Sequence, residues 1–261
     1  MPKFAANISM LYNEVPFLER FAAAAIGGFK GVEYVGPYDH PAEEISALLS
    51  KHGLTQVLFN LPAGNWAAGE RGIGCHPDRV AEFQDGVAKA IAYAKVLGNK
   101  QINCLAGILP KGLEPEKAEE TFISNLRFAA SEMKKAGILL IAEPIHFHDI
   151  PGFFLNRSAQ AIAIFDKVGS DNLKLQYDIY HMQRMEGEIA KTMERLMPRI
   201  GHIQVAGNPN RTEPDQGELN YPYLFALIDR LGYTGWIGAE YRPVKTTAEG
   251  LGWLKQWSYV T

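Results

Sequence analysis

Leu139-Leu140-Ile141-Ala142-Glu143-Pro144 is an unbroken apolar run closed by a carboxylate and a proline. Apolarity without polar alternation is the pattern of a strand buried on both faces, as in a parallel sheet. Pro144 biases Glu143 toward extended geometry and stops a helix from running through it. An acid at the end of such a strand is costly to bury without a partner. In a closed barrel of parallel strands that end forms the rim of the active site. The same grammar recurs in Leu173-Lys174-Leu175-Gln176-Tyr177-Asp178, Ile200-Gly201-His202-Ile203-Gln204 and Trp236-Ile237-Gly238-Ala239-Glu240. Successive strand-like runs thus end in Glu143, Asp178, Gln204 and Glu240.

Upstream of that stretch, short strands are expected over residues 4–7, 31–34, 55–60 and 101–105. Helices are expected over 15–26, 41–52, 77–97 and 114–136, with Gly53 and Gly98 as stops. Downstream, Ser158 is placed as the cap of a helix running to Val168. Further helices are expected near 186–197, 221–231 and 247–257. Strand and helix alternate about eight times over the 261 residues, with no linker, repeat or low-complexity segment. A (β/α)8 barrel typically needs about 250 residues, so 1–261 reads as a single α/β TIM-barrel domain. A Rossmann sheet would use fewer units and a glycine-rich first turn, and residues 7–13 carry no G-x-G-x-x-G. The loop over 61–76 is longer than a usual βα connection and reads as a functional lid.

Composition excludes several classes. Hydrophobic residues make up 47% and charged residues 21%, and the net charge is -3, so a large core is available and there is no basic footprint for nucleic acid. No 18-residue apolar segment and no cationic-then-apolar leader is visible. Two cysteines do not make a disulfide framework. A soluble protein of the reducing cytoplasm is expected, with no membrane partner and with homo-oligomerisation left open.

If the barrel is right, Asn7, Glu33, Asn60, Asn103, Glu143, Asp178, Gln204 and Glu240 converge on its mouth. Glu143, Asp178, Gln204 and Glu240 then form an oxygen-rich cage suited to Mg2+ or Mn2+ rather than zinc. A cation would also neutralise carboxylates that otherwise repel. Any one of these acids could be a barrel salt bridge or a helix cap, but that reading weakens when the residues end four consecutive strands. His181, read as a loop residue, is placed to hold a substrate oxygen, against the blander reading of a histidine bonded to backbone. His146 and His148 are candidate rim contacts. His202 is placed behind the site, and His40, His52 and His76 at the surface. Arg71 and Arg211 are the candidate guanidinium forks for a substrate carboxylate, against the alternative of solvated loop arginines. Asn60 is a further candidate substrate contact. Trp66 either caps the substrate or packs its loop. Cys104 reads as a small buried hydrophobe.

Several segments carry a likeness that spans nearly the whole chain. They are residues 4–11, the loop 60–72 (Asn60 through Glu70-Arg71-Gly72), residues 176–187 around Asp178-Ile179-Tyr180-His181, and Gly217-Glu218-Leu219-Asn220-Tyr221. Through them the chain resembles the xylose-isomerase-like TIM barrels. The resemblance implies paired catalytic glutamates at Glu143 and Glu240, with Asp178 and Gln204 completing a divalent-metal site. Related sugar epimerases carry a histidine at the Gln204 position. The implied activity is an intramolecular oxidoreduction of hydroxypyruvate to 2-hydroxy-3-oxopropanoate (tartronate semialdehyde) through an enediolate, with no nucleotide cofactor. A 2-oxo-tetronate isomerase or a ketose 3-epimerase is the alternative, and the Glu70-Arg71 pair leans toward the three-carbon substrate. A lesion-specific endonuclease of the same barrel type would need many histidine ligands, and the chain has seven histidines in all. A non-catalytic carbohydrate-binding barrel is disfavoured by the presence of both glutamates.

Overall fold

The structure is a computed structural model that describes residues 2–257. Eight parallel strands close a barrel in chain order: β1 (Lys3–Asn7), β2 (Gly31–Tyr34), β3 (Thr55–Asn60), β4 (Gln101–Cys104), β5 (Leu139–Ala142), β6 (Leu173–Asp178), β7 (Ile200–Val205) and β8 (Trp236–Ala239). The connecting helices are α1 (Arg20–Ile26), α2 (Ala42–His52), α3 (Val80–Leu97), α4 (Pro115–Lys135), α5 (Ser158–Val168), α6 (Ile179–Met185), α7 (Ile189–Leu196), α8 (Tyr221–Arg230), α9 (Thr247–Gly250) and α10 (Gly252–Trp257). Gly53 and Gly98 end α2 and α3 in the left-handed conformation, where a residue without Cβ carries no steric penalty.

The main core lies between sheet and helices. It includes Phe83 and Val87 of α3 and Phe122, Leu126 and Met133 of α4, all buried. Burying each such large side chain contributes about 1.5–3 kcal/mol. Inside the barrel the strand period of two sorts side chains into columns. Ala5 lies below Asn7, Ile141 below Glu143, and Trp236 and Gly238 below Glu240. The lower part is a small apolar cluster of Ala5, Val57, Leu58 and Ile141, flanked by Leu139 and Trp236. Above it the buried side chains are polar: Asn7, Glu33, Asn103, Gln176, Asp178, His202 and Gln204. The register holds these residues level, pairing Asn7 with Glu33, Asn60 with Asn103, and Asp178 with Gln204. Isolated bridges Gly72↔Ala106 and Ile108↔Phe153 stitch the loops after β3, β4 and β5 together over the mouth.

Several local expectations are corrected. The helix expected from residue 15 begins as a 3-10 turn at Phe17, because Pro16 is extended and caps it. Ser158 is not a side-chain cap. Arg157 holds the cap position, and Ser158 donates from its amide and hydroxyl to Glu186 at 2.6 and 2.7 Å. The helix expected from residue 186 starts at Ile189, because Glu188 (φ 48°) and Gly187 (φ 67°) are left-handed. His181 lies on α6 rather than in a loop: Asp178 Oδ1 accepts the Tyr180 amide at 2.8 Å and starts a helix directly at the strand end. The C-terminal helix is broken at Leu251 into α9 and α10. His40, His52 and His76, expected at the surface, are all half-buried. His40 stacks on Phe17, and His76 Nε2 lies 2.9 Å from the Ile108 carbonyl.

Glu186 ties the start of α5 to the end of α6. Glu186→Ala is expected to lower unfolding free energy by about 1–2 kcal/mol, the usual cost of a lost helix-start acceptor. Urea unfolding midpoints at constant m-value measure it.

Candidate active site

Each acid at the mouth is delivered by a different strand. Glu143 follows β5 directly, Asp178 is the last residue of β6, and Glu240 follows β8 directly. Because α6 begins at Asp178, His181 falls one helical turn on and shares its face. One ligand atom each from Glu143, Asp178, His181 and Glu240 lie within 4.8 Å of one another. His181 Nε2 is 3.4 Å from Asp178 Oδ2 and 3.7 Å from Glu143 Oε1.

Arg211 is the counter-charge. Its Nη2 donates to Glu240 Oε2 at 2.6 Å and lies 3.8 Å from Asp178 Oδ2 and 3.3 Å from His181 Nε2. Its Nη1 is 3.5 Å from Asp149 Oδ2. Arg211 is left-handed at φ 56°, a conformation that costs a non-glycine residue about 1–3 kcal/mol and tends to mark a functional position. The strained turn is held by the Arg242 amide on the Arg211 carbonyl at 2.8 Å and the Gly207 amide on the Thr212 carbonyl at 2.7 Å.

Burial dominates the electrostatics. It pushes the Glu143 carboxyl well above the usual range, and the neighbouring Glu240 and Asp178 charges push the same way while Arg211 opposes. Glu240 is raised to about 8, again mainly by burial, with Arg211 opposing. Asp178 is raised by burial against Arg211 and the amides of Tyr180 and His181. Burial, then Arg211, drives His181 well below its ordinary value, so its imidazole is neutral near pH 7. Asp149, at the half-exposed edge, is lowered to about 2 by His146, whose Nε2 lies 3.2 Å away, and by Arg211.

Glu143 Oε1 and Asp178 Oδ2 are buried without a hydrogen-bond partner. Two orphaned carboxylate oxygens inside a tight four-ligand set fit a divalent cation, which would supply the missing partner. The sequence placed Gln204 in that set. The structure commits its amide elsewhere, with Nε2 donating to Glu33 Oε1 at 2.7 Å and Oε1 accepting from Gln176 at 2.6 Å. Asn60 accepts from Asn103 at 3.1 Å, and Asn103 in turn lies 3.4 Å from Glu143 Oε2. Arg71 is not brought to the acids: its guanidinium lies 4.1 Å over the Trp66 ring and donates to the carbonyls of Trp66 and Glu70. His146 is fully buried beside His181, with ring centroids 4.8 Å apart. Asp149 and Tyr180 escaped the sequence reading. Their only signals were the three-residue spacing from His146 and a place inside Asp178-Ile179-Tyr180-His181.

Glu240 titrates near 8 when folded and near the ordinary carboxylate value when unfolded. Between those values the folded state holds the extra proton, so wild-type stability falls as pH rises from about 5 to about 8. Glu240→Gln removes this loss. In chelator-treated protein, the melting temperature of the variant relative to wild type is expected to climb across that window, and differential scanning calorimetry would show it.

Comparison with known proteins agrees with this geometry. Residues 21–257 match the family model described as xylose isomerase-like TIM barrel. Over 254 residues the chain is 54% identical to hydroxypyruvate isomerase from Escherichia coli (strain K12), covering 97% of this chain and 98% of the relative. It is 52% identical to 2-oxo-tetronate isomerase from Cupriavidus necator, covering 98% of each. A crystal structure described as AP endonuclease, family 2, from Brucella melitensis superposes with a TM-score of 0.97 at 44% identity, covering 99% of this chain and 100% of that one. A closed parallel barrel, an acid-rich mouth and full-length similarity agree: the chain belongs to the xylose isomerase-like TIM barrel family.

Proposed function

We propose that this protein interconverts hydroxypyruvate and 2-hydroxy-3-oxopropanoate by proton transfer between two glutamates. The observation that carries the reading is that Glu143 and Glu240, almost a hundred residues apart, offer oxygens within one 4.8 Å cluster, in joint reach of a three-carbon ligand. One carboxylate removes the proton from C3, giving an enediolate, and a proton returns at C2. Raised proton affinities suit both groups to this exchange near neutral pH. His181, neutral and buried, turns the lone pair of Nε2 toward the cluster, where it accepts from Arg211 and can serve a cation. Arg211 steadies Glu240, and its guanidinium brings beside the cluster the positive charge that a substrate carboxylate needs. Mg2+ or Mn2+ held by Glu143, Asp178, His181 and Glu240, with Gln204 close by, would stabilise negative charge on adjacent oxygens by several kcal/mol.

The 54% identical relative is named for the three-carbon substrate and the 52% identical one for a 2-oxo-tetronate. Identity alone therefore does not separate them, and the second substrate stands as the other reading. An endonuclease role is opposed by the net charge of -3 and by a ligand set with a single histidine among the described residues. Among the described residues no helix is long and apolar enough to cross a membrane. Cys75 and Cys104 are free and buried, which fits a reducing cytoplasm.

Glu143→Gln and Glu240→Gln should each lower kcat on hydroxypyruvate by about a hundredfold or more with the fold retained. Near-normal turnover in either variant rejects the two-carboxylate scheme. Assaying hydroxypyruvate beside 2-oxo-tetronates, before and after chelation and Mn2+ return, decides substrate and cation together. Arg71→Ala should raise KM with kcat kept if the rim arginine closes on substrate, and an unchanged KM removes it from binding.

A further inference from the structure

The proton-transfer scheme leaves unexplained a chain of buried polar side chains running up the barrel axis to Glu240. Glu33, on β2, is fully buried. His202 Nε2 meets Glu33 Oε2 at 2.7 Å, while Gln204 Nε2 and Asn7 Nδ2 reach Oε1 at 2.7 and 3.1 Å. The same Asn7 Nδ2 donates to Glu240 Oε1 at 2.9 Å.

The orientation of each member is fixed by its far side. The Ser9 amide donates to Asn7 Oδ1 at 3.1 Å, so the Asn7 NH2 group must face the two carboxylates. Gln101 Nε2 lies 3.2 Å from His202 Nδ1. This makes Nδ1 the acceptor and leaves the Nε2 proton for Glu33. The strand that carries Glu240 also makes room for Glu33: a Cβ on Gly238 would sit 2.3 Å from Glu33 Oε1. A side chain at that position and a carboxylate at Glu33 exclude each other.

We propose that Asn7 is a positioning residue for Glu240, and that Glu33 acts through Asn7 as its anchor. The proposal rests on Glu240 being a proton-transfer group. Asn7 holds one Glu240 oxygen and Arg211 the other, so the carboxylate cannot rotate away from the substrate. Glu143, by contrast, has a long contact to Asn103 at 3.4 Å, and its Oε1 makes no close hydrogen bond.

The test combines crystallography with a double-mutant cycle. Asn7→Leu should leave the barrel folded and displace the Glu240 carboxylate by about 1 Å or split it between rotamers. A misplacement of that size lowers kcat by about ten- to a hundredfold, with KM within about twofold of wild type. Asn7→Ser, too short to reach Glu240, should give the same signature if the leucine variant folds poorly. Glu33→Gln should lower kcat likewise, and its effect should vanish in the Asn7→Leu background. An unmoved Glu240 with wild-type kcat overturns the role of Asn7, and multiplying effects overturn the role of Glu33. The position of Glu240 is read without substrate. Wild-type inactivity on hydroxypyruvate would therefore defeat the assigned reaction while the crystal structures still decide this inference.

Discussion

Three carboxylates gathered at one spot, Glu143 and Asp178 buried and Glu240 nearly so, set the terms for this molecule. Glu143, Asp178 and Glu240 bring three negative charges into a region from which water is largely excluded, and Arg211 returns one positive charge. Two like charges 4 Å apart repel by about 4 kcal/mol at an effective dielectric near 20. Full ionisation of the set is therefore not an equilibrium state of the bare site. Either protons stay on the carboxyls, which is the meaning of the raised values at Glu143 and Glu240, or a divalent cation takes their place. A group that gives and takes protons near pH 7 is what carbonyl migration requires. The burial and the repulsion that make the site expensive thus also tune it.

The fold was legible because its signals are redundant. Each βα unit repeats an apolar run, a strand-end polar residue and an amphipathic helix, so an error of a few residues at one boundary leaves the topology intact. The errors fell where backbone geometry overrides composition: the extended Pro16, the left-handed pair Gly187 and Glu188, and the Asp178 cap that starts α6 inside what read as a loop. Asp178 illustrates the limit well. The sequence offered a metal ligand or a helix cap as alternatives, and its two oxygens divide: Oδ1 caps α6 while Oδ2 faces the cluster.

Within the site, legibility followed strand register. Positions that close a strand can be read from periodicity, so the meeting of Glu143, Asp178 and Glu240 was foreseeable, with Gln204 paired beside Asp178. Positions in the loops cannot be read that way. Arg71 and Arg211 looked alike in sequence, each a lone guanidinium in a polar loop. Arg211 is drawn inward by a strained turn anchored to Arg242, while Arg71 stacks on Trp66 above the mouth. Asp149 becomes visible only once β5, β6 and β7 are lined up, because its partners Tyr180 and Arg211 lie 31 and 62 residues away.

The layering of the barrel interior bears on what its polar half is for. The lower half is filled by Ala5, Val57, Leu58 and Ile141, so this sequence can pack the barrel axis with hydrocarbon. Above that level the axis holds Glu33, His202, Gln204, Gln176 and Asn7, joined in one hydrogen-bonded network. A buried carboxylate and its polar satellites seldom stabilise a fold more than apolar side chains of equal volume. If stability alone shaped the interior, the apolar filling would continue upward. It stops one layer below the acids, where the network's last donor, Asn7, meets Glu240. Directional bonds restrict a carboxylate's rotation in a way that methyl contacts do not. The polar half of the axis is then best understood as the mount for the reacting groups, with the apolar half as the base that carries it.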